Sequence, residues 1–138
     1  MTTSRYPCLC ALIRKAGRIV TRNYDRCLKP SGLKATQLGM LARIAGHPAI
    51  TVSELGELLY MDQTTVSRNL RVLEKSGYIH VEEEMTDHRI KRIQITDFGV
   101  SRMNEAIPLW EKAQSDMERV LGRQSIEVMM KTFKKLTK

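Results

Sequence analysis

One stretch near the middle of the chain places its apolar and polar positions at the spacing of an amphipathic helix. Val66, Leu70 and Leu73 fall on one side of this helix at 3.6 residues per turn. The opposite side carries polar and basic side chains, which are Thr64, Ser67, Arg68, Arg71 and Lys75. Asp62 can cap the first turn, and Gly77 can close the last turn in the left-handed conformation. The pattern therefore predicts a helix with one buried face and one basic face.

A second pattern follows, because residues 78–81 and 92–95 alternate apolar and polar side chains as half-buried strands do. The two runs should pair as an antiparallel ribbon. Residues 82–91 between them are polar, too numerous for a tight hairpin turn, and carry cations toward their far side. This ribbon and its polar tip predict a wing.

A short helix is predicted just before the basic one. Thr51 and Glu54 have the spacing of a capping box, in which a hydroxyl caps the helix and a carboxylate follows three residues later. The apolar positions of this helix are Leu55, Leu58 and Leu59. Residues 60–61 link it to the basic helix. Helix, turn, helix and two-stranded wing is the order of a winged helix-turn-helix, whose second helix enters the major groove of DNA.

Further helices are predicted on both sides of this core. Residues 7–28 form a long amphipathic pattern that Pro30 interrupts, and residues 33–45 resume it. Ile50 is then expected to add a short edge strand beside the wing. After the wing, Thr96 opens another long helix.

Proline interrupts this long helix, and a last helix follows it. Pro108 predicts a kink near Ala106, because proline removes a backbone donor and clashes with the preceding turn. The helix after Gly122 carries its apolar stripe at Ile126, Met129, Met130, Phe133 and Leu136.

The stripes of the first and last helices lack enough neighbours within one chain to cover them. A two-fold dimer would cover them and would present two basic helices about 34 Å apart, which predicts a pseudo-palindromic DNA site. The predicted fold is mainly α with a small antiparallel β-wing, in the α+β class. Residues 1–138 form one domain, with a winged helix-turn-helix lobe at 33–96 and a helical dimerisation lobe at 1–30 and 97–138.

Charge supports a polyanionic partner. The chain has 23 Lys and Arg residues against 15 Asp and Glu residues, for a formal net charge of +8. No apolar run approaches the roughly 20 residues that span a bilayer, and the N-terminus lacks the apolar core of a secretion signal. We therefore expect a cytoplasmic protein that does not bind membranes.

Several motifs resemble those of the MarR family of winged-helix regulators. They are Thr51-Val52-Ser53-Glu54-Leu55, Thr65-Val66-Ser67-Arg68, Leu73-Glu74-Lys75-Ser76-Gly77-Tyr78-Ile79, Asp87-His88-Arg89-Ile90-Lys91 and Ile95-Thr96-Asp97-Phe98-Gly99. The resemblance implies a homodimer that binds double-stranded operator DNA and usually represses transcription. It also implies release by a small phenolic or drug-like ligand, or by cysteine oxidation.

The resemblance also assigns DNA contacts. The major-groove residues of the 62–76 helix are Gln63, Thr64, Thr65, Ser67, Arg68 and Arg71. In the 82–91 wing, Arg89 is assigned to the minor groove or to phosphate, Asp87 braces it by a salt bridge, and Lys91 adds a cation. The chemistry agrees, since arginine can grip guanine through two hydrogen bonds, glutamine can read adenine, and a narrow minor groove attracts a guanidinium.

The chain departs from the family pattern in two places. Glu82, Glu83 and Glu84 stand where many relatives have a basic residue, and they would repel phosphate if they faced DNA. We expect them either to point away from DNA or to brace nearby cations. Lys34 replaces a frequent capping threonine, so the second helix is predicted to begin at Thr36 or to fray.

Cysteines offer an alternative trigger. Cys8 and Cys10 are close enough in sequence to suggest thiol-based oxidant sensing, but residues two apart on a helix point about 200° away from each other. A disulfide between them requires fraying at the helix start, or a cysteine from elsewhere. Cys27 lies on the apolar stripe and is expected to pack there.

An effector pocket is the other predicted trigger. Tyr24, Met40 and Trp110 are candidates to line a cavity for a small aromatic or drug-like molecule, and ordinary core packing is the competing interpretation for each.

No metal, cofactor or catalytic site is predicted. His47, His80 and His88 are scattered without metal-ligand spacing, and no catalytic motif is present, so we expect a protein that is not an enzyme. Two other interpretations stay open: the basic helix could be a solvated face, or the winged helix could bind proteins or DNA without sequence preference.

Overall fold

A computed structural model describes residues 3–137. Within this range the chain forms six α-helices and one two-stranded antiparallel sheet. They are α1 (Leu9–Leu28), α2 (Ala35–Gly46), α3 (Val52–Leu59), α4 (Gln63–Lys75), β1 (Ile79–Glu83), β2 (Lys91–Ile95), α5 (Asp97–Leu121) and α6 (Arg123–Lys134). Short 3-10 turns occupy Lys29–Ser31 and Lys135–Thr137. The predicted class, mainly α with a small β-wing, is confirmed.

The α4 helix begins and ends where its sequence predicts. An Asp62 carboxylate oxygen accepts a hydrogen bond from the Thr65 N–H at 2.7 Å. Gly77 follows the helix with a φ of 82°, which a residue without a Cβ adopts readily. The apolar face of α4 packs into the core, since Val66, Leu70 and Leu73 are buried.

The wing consists of β1, β2 and the connection between them. The two strands pair from Ile79 opposite Ile95 to Glu83 opposite Lys91. Ile93 is buried, and its N–H donates to the Ile50 carbonyl at 2.8 Å. The edge strand expected at Ile50 is reduced to an isolated bridge between Thr51 and Arg92.

The start of α2 differs from its prediction. The helix begins at Ala35 rather than Thr36, and the two N–H groups at its start have side-chain partners. An Asp25 carboxylate oxygen on α1 accepts from the Ala35 N–H at 2.8 Å, and the Gln37 side chain accepts from the Lys34 N–H at 2.9 Å. These two side chains satisfy the N–H groups of Lys34 and Ala35 and so hold the start of the helix.

The α5 helix is attached firmly to the base of the wing. The Thr96 hydroxyl accepts from the Gly99 N–H at 3.0 Å and donates to the Gly77 carbonyl at 2.6 Å. Gly99 packs so closely that a Cβ at this position would lie 2.1 Å from the Tyr78 carbonyl oxygen. The helix continues past Pro108, and the bend predicted there stays a prediction.

The outer helices leave apolar side chains in water. Exposed residues of this kind include Leu9, Leu12, Ile13 and Ile19 on α1, Val128, Met130 and Phe133 on α6, and Leu136 after it. No residue of α6 is buried. The N-terminal half of the α1 stripe and much of the α6 stripe therefore remain uncovered in a single chain, whereas the α1 stripe ends at the buried Leu28. None of the helices between residues 3 and 137 has the length and apolar character that crossing a membrane requires.

Candidate nucleic-acid interface

The exposed face of α4 and one face of the wing form the two walls of an open cleft, called here the α4–wing cleft. Its lining residues are Thr51, Val52, Ser53, Glu54, Gln63, Ser67, Leu70, Arg71, Glu74, Val81, Arg89, Ile90, Lys91 and Arg92. Five of the predicted DNA-contact residues meet here, namely Gln63, Ser67, Arg71, Arg89 and Lys91. Helix and wing cations therefore face a common space.

The rest of the predicted α4 surface adjoins this cleft. Thr64 and Arg68 lie beside Gln63, Ser67 and Arg71 around a shallow depression on the helix. Thr65, by contrast, is half-buried, and its N–H is used in the Asp62 cap. Within residues 3–137 neither Arg68 nor Arg71 forms an ion pair, so both guanidinium groups are free to bind a ligand.

The capping carboxylate of α4 stays ionised beside these cations. Its hydrogen bond from the Thr65 N–H, and to a smaller extent the nearby Arg68 charge, lower the pKa of Asp62 below its ordinary value. The cap is thus maintained at neutral pH, and it holds the first turn of α4 at the mouth of the cleft.

Arg89 is held at the wing tip by Asp87, as the family resemblance implied. Its Nε and Nη2 atoms each donate to a different Asp87 carboxylate oxygen at 3.1 Å, and its N–H donates to Oδ1 at 3.0 Å. The Arg89 guanidinium is the main cause that lowers the pKa of Asp87. The Arg89 side chain is nevertheless 91% exposed, so one edge is braced while the rest of the group remains accessible.

The three glutamates lie on the other face of the wing. Glu82, Glu83 and Glu84 line a separate cleft with Ala49, His80, Arg92 and Gln94. Each one has a basic partner: Glu82 pairs with His80 at 3.0 Å, Glu83 with His88 at 3.3 Å, and Glu84 with Arg92. The departure from the family pattern therefore puts no glutamate of this run on the lining of the α4–wing cleft.

Sequence reasoning missed several members of the cleft. Ser53 lies in the first turn of α3 and lines the cleft wall. Glu74 accepts a hydrogen bond from the Val81 N–H at 2.9 Å and so ties the end of α4 to β1. Ser53 was visible as part of the capping-box motif, but the Glu74 contact depends on how the wing folds back onto α4.

The predicted effector residues have different surroundings. Met40 is 3% exposed and lines a small cavity between α2 and α4 with Lys34, Thr36, Gln37, Asn69 and Val72. Trp110 lies 40% exposed on α5. The Tyr24 hydroxyl donates to the Gln114 side chain, and burial, followed by the Glu118 charge, raises the pKa of Tyr24. A shared effector cavity stays a prediction.

The cysteines carry no disulfide. Cys8 precedes the first residue of α1 and Cys10 lies in its first turn; both are exposed, whereas Cys27 is half-buried. Among the described residues no group of three or more His, Cys, Asp and Glu side chains is arranged to hold a metal ion.

Comparison with known proteins shows to which family the chain belongs. A model of the MarR family matches residues 31–90. Over 94% of this chain and 98% of the other, the structure superposes with a TM-score of 0.80 and 33% identity on the transcriptional regulator MosR of M. tuberculosis, solved in complex with DNA. The chain belongs to the MarR family.

Two further relatives of this MarR-family protein are regulators. It is 29% identical over 93 residues to the HTH-type transcriptional regulator SarZ of Staphylococcus haemolyticus, a match that covers 67% of this chain and 63% of SarZ. It is 28% identical over 101 residues to the organic hydroperoxide resistance transcriptional regulator of Bacillus subtilis, covering 73% of this chain and 69% of the relative. The family resemblance seen in the motifs is confirmed.

Proposed function

We propose that this protein is a homodimeric transcriptional repressor that binds a pseudo-palindromic operator in double-stranded DNA. In each half-site α4 enters the major groove, and the wing reaches the flanking minor groove or backbone. The helical segments at 1–30 and 97–138 form the dimerisation lobe, and the winged helix-turn-helix lobe at 33–96 reads the DNA. A small-molecule effector releases the complex.

The observation that carries the proposal is the α4–wing cleft. Two unpaired arginines and several hydroxyl and amide groups of α4 share one surface, and a braced arginine faces it from the wing. Arginine, glutamine and serine are side chains that read base edges in the major groove. Polar groups beside the cations favour base reading over a purely electrostatic coat. The relative MosR, solved with DNA, supports the same function for this chain.

The direct test compares affinity for two duplexes at physiological salt. One is selected from a random pool by the wild-type protein, and the other is a scrambled sequence of equal length. Arg68→Ala should lose about 1–3 kcal/mol on the selected duplex and relax its sequence preference. Arg89→Ala should weaken binding to both duplexes more uniformly.

Arg18→Ala is the matched control, because it removes one exposed arginine from the polar face of α1, outside the cleft. It should leave sequence preference unchanged. A wild-type protein with equal affinity for the two duplexes would refute operator recognition and leave sequence-independent binding. Identical binding curves for wild type, Arg68→Ala and Arg89→Ala at low salt would refute the proposed interface.

Thiol oxidation is the second candidate for release. Cys8 and Cys10 are exposed at the start of α1, and one relative is an organic hydroperoxide resistance regulator. Mild peroxide treatment should then oxidise Cys8 or Cys10, as detected by mass spectrometry, and abolish DNA binding. The Cys8→Ser/Cys10→Ser variant should still bind DNA after the same treatment. Cys27→Ser serves as the control. Undiminished binding by a fully oxidised sample would exclude this trigger.

A further inference from the structure

Arg92 occupies the junction between the wing and the body of the protein. Its Nη1 donates to the Ala49 carbonyl at 2.9 Å, across a sequence separation of 43 residues, and its Nε pairs with Glu84. The Arg92 and Glu84 side chains are 43% and 24% exposed. Arg92 is one of the cations that line the α4–wing cleft, but these two donors are engaged with partners on the glutamate face of the wing, which Arg92 also lines.

The partners of Arg92 are themselves fixed by the fold. Ala49 has a φ of 59°, which is unfavourable for a residue with a Cβ. Such a conformation persists only where surrounding contacts hold it. The bridge between Thr51 and Arg92 joins the same two segments through the backbone. The Ala49 carbonyl therefore lies on a segment that is held against β2 at a second point.

Glu84 connects this junction to the wing tip. Its N–H donates to the Ile90 carbonyl at 2.9 Å, and the Ile90 N–H donates to the Asp87 carbonyl at 3.0 Å. Asp87 in turn holds Arg89. A continuous series of contacts thus runs from Ala49 through Arg92, Glu84 and Ile90 to the guanidinium that faces the cleft.

We propose that Arg92 is a positioning residue, which holds the wing at the angle where Arg89 reaches DNA, and that Arg92 does not itself contact DNA. The proposal rests on the DNA-binding function above. Because the arginine fork spans a carboxylate and a carbonyl at once, a lysine, with a single ammonium group, should not replace it.

Glu84→Ala gives the clearest test, because charge and positioning predict opposite results. Removing a negative charge near DNA should tighten binding if only the net charge matters. Removing the Arg92 partner should weaken binding if the wing angle matters, and we expect a loss of about tenfold, the scale of coupling within one contact network. Glu82→Ala is the matched control: Glu82 lies opposite Arg92 in the ladder, but among residues 3–137 its carboxylate forms its ion pair with the exposed His80 and not with Arg92. This variant should bind as tightly as wild type or tighter.

Salt dependence separates positioning from phosphate contact. Fluorescence anisotropy with the selected duplex is measured over a range of salt concentrations for wild type, Arg92→Ala, Arg92→Lys and Arg89→Ala. Arg89→Ala should reduce the slope of log affinity against log salt by about 1. Arg92→Ala and Arg92→Lys should both weaken binding about tenfold with a slope like that of wild type. In the Arg89→Ala background, Arg92→Ala should have little further effect.

The outcomes distinguish this inference from the proposed function. If wild type prefers no duplex, the proposed function fails, and with it the role of Arg92. If wild type binds its duplex but Glu84→Ala binds as tightly as Glu82→Ala, the positioning role alone is wrong. A slope reduced by about 1 in Arg92→Ala would also overturn it and make Arg92 a phosphate contact. Circular dichroism melting of each variant verifies that the fold is intact at the assay temperature.

Discussion

Arg89 and Asp87 illustrate how one side chain can be fixed and still be available. The carboxylate takes two donors of the guanidinium, and three remain for a ligand. An arginine that is already oriented loses less side-chain entropy when it binds, so the brace should favour DNA binding even though the exposed pair adds little to the stability of the fold.

The titration of Asp87 tests this brace. Because its folded-state pKa is lowered, the pair contributes stability above the ordinary carboxyl pKa of 3.8 and loses it as the pH falls through the lower folded value. A carbon-detected NMR titration of Asp87 should therefore have its midpoint below 3.8, and Arg89→Ala should move the midpoint back toward 3.8. A wild-type midpoint at or above this value would mean that the pair does not persist in solution.

At the scale of elements, the helix ends depend on contacts of different range. Three helices begin with a side-chain cap that accepts from the N–H three residues later; the capping residues are Thr51, Asp62 and Thr96. Because each cap and its donor are close in sequence, spacing alone predicted these helix starts. The α2 helix starts one residue earlier than predicted, at Ala35, whose N–H donates to Asp25, ten residues earlier on another helix.

In the candidate site, too, features set by local sequence could be predicted and those set by distant contacts could not. Helical periodicity placed the basic face of α4 correctly, because its two faces differ in polarity. The backbone partner of Arg92 could not be predicted, since Ala49 offers a carbonyl group and every residue has one. Methionine suits both a core and a binding pocket, so the sequence left both interpretations open for Met40, which the fold buries.

Gly99→Ala tests the close packing of α5 on the wing. The new Cβ would lie 2.1 Å from the Tyr78 carbonyl oxygen and 2.8 Å from Ile95 Cγ1, so backbone must shift. We expect the free energy of unfolding to fall by about 2 kcal/mol in urea titrations. Gly39→Ala is the control, because nothing lies within 4 Å of its added Cβ and alanine favours α2. Equal stability of the two variants would contradict the contact.

At the scale of the whole molecule, the main feature is the exposed apolar surface of the outer helices α1 and α6. Apolar side chains exposed along a helix, as on α1 and α6, are typical of an interface between chains. No residue of α6 is buried, so its apolar face needs a partner surface to exclude water. In the dimer proposed above, the second copy of the chain buries these stripes and sets the distance between the two α4 helices.

Ile13→Glu tests this assembly. Ile13 is 48% exposed on the apolar stripe of α1, and a carboxylate there would have to be desolvated in a dimer. Sedimentation velocity should show wild type as a dimer and Ile13→Glu as a single chain at micromolar concentration. Lys15→Glu, on the polar face of α1, should remain dimeric. A wild-type protein that sediments as one chain would contradict the dimer.

The contact between Gly99 and Tyr78 has a mechanical consequence. It clamps one end of a helix of 25 residues, about 37 Å long, to the base of the wing. Such a helix works as a lever: a tilt of about 5° at the clamp displaces the opposite end by about 3 Å over this length. If α5 is rigid, a displacement of about 3 Å at its far end would correspond to a rotation of about 5° at the base of the ribbon that carries Arg89.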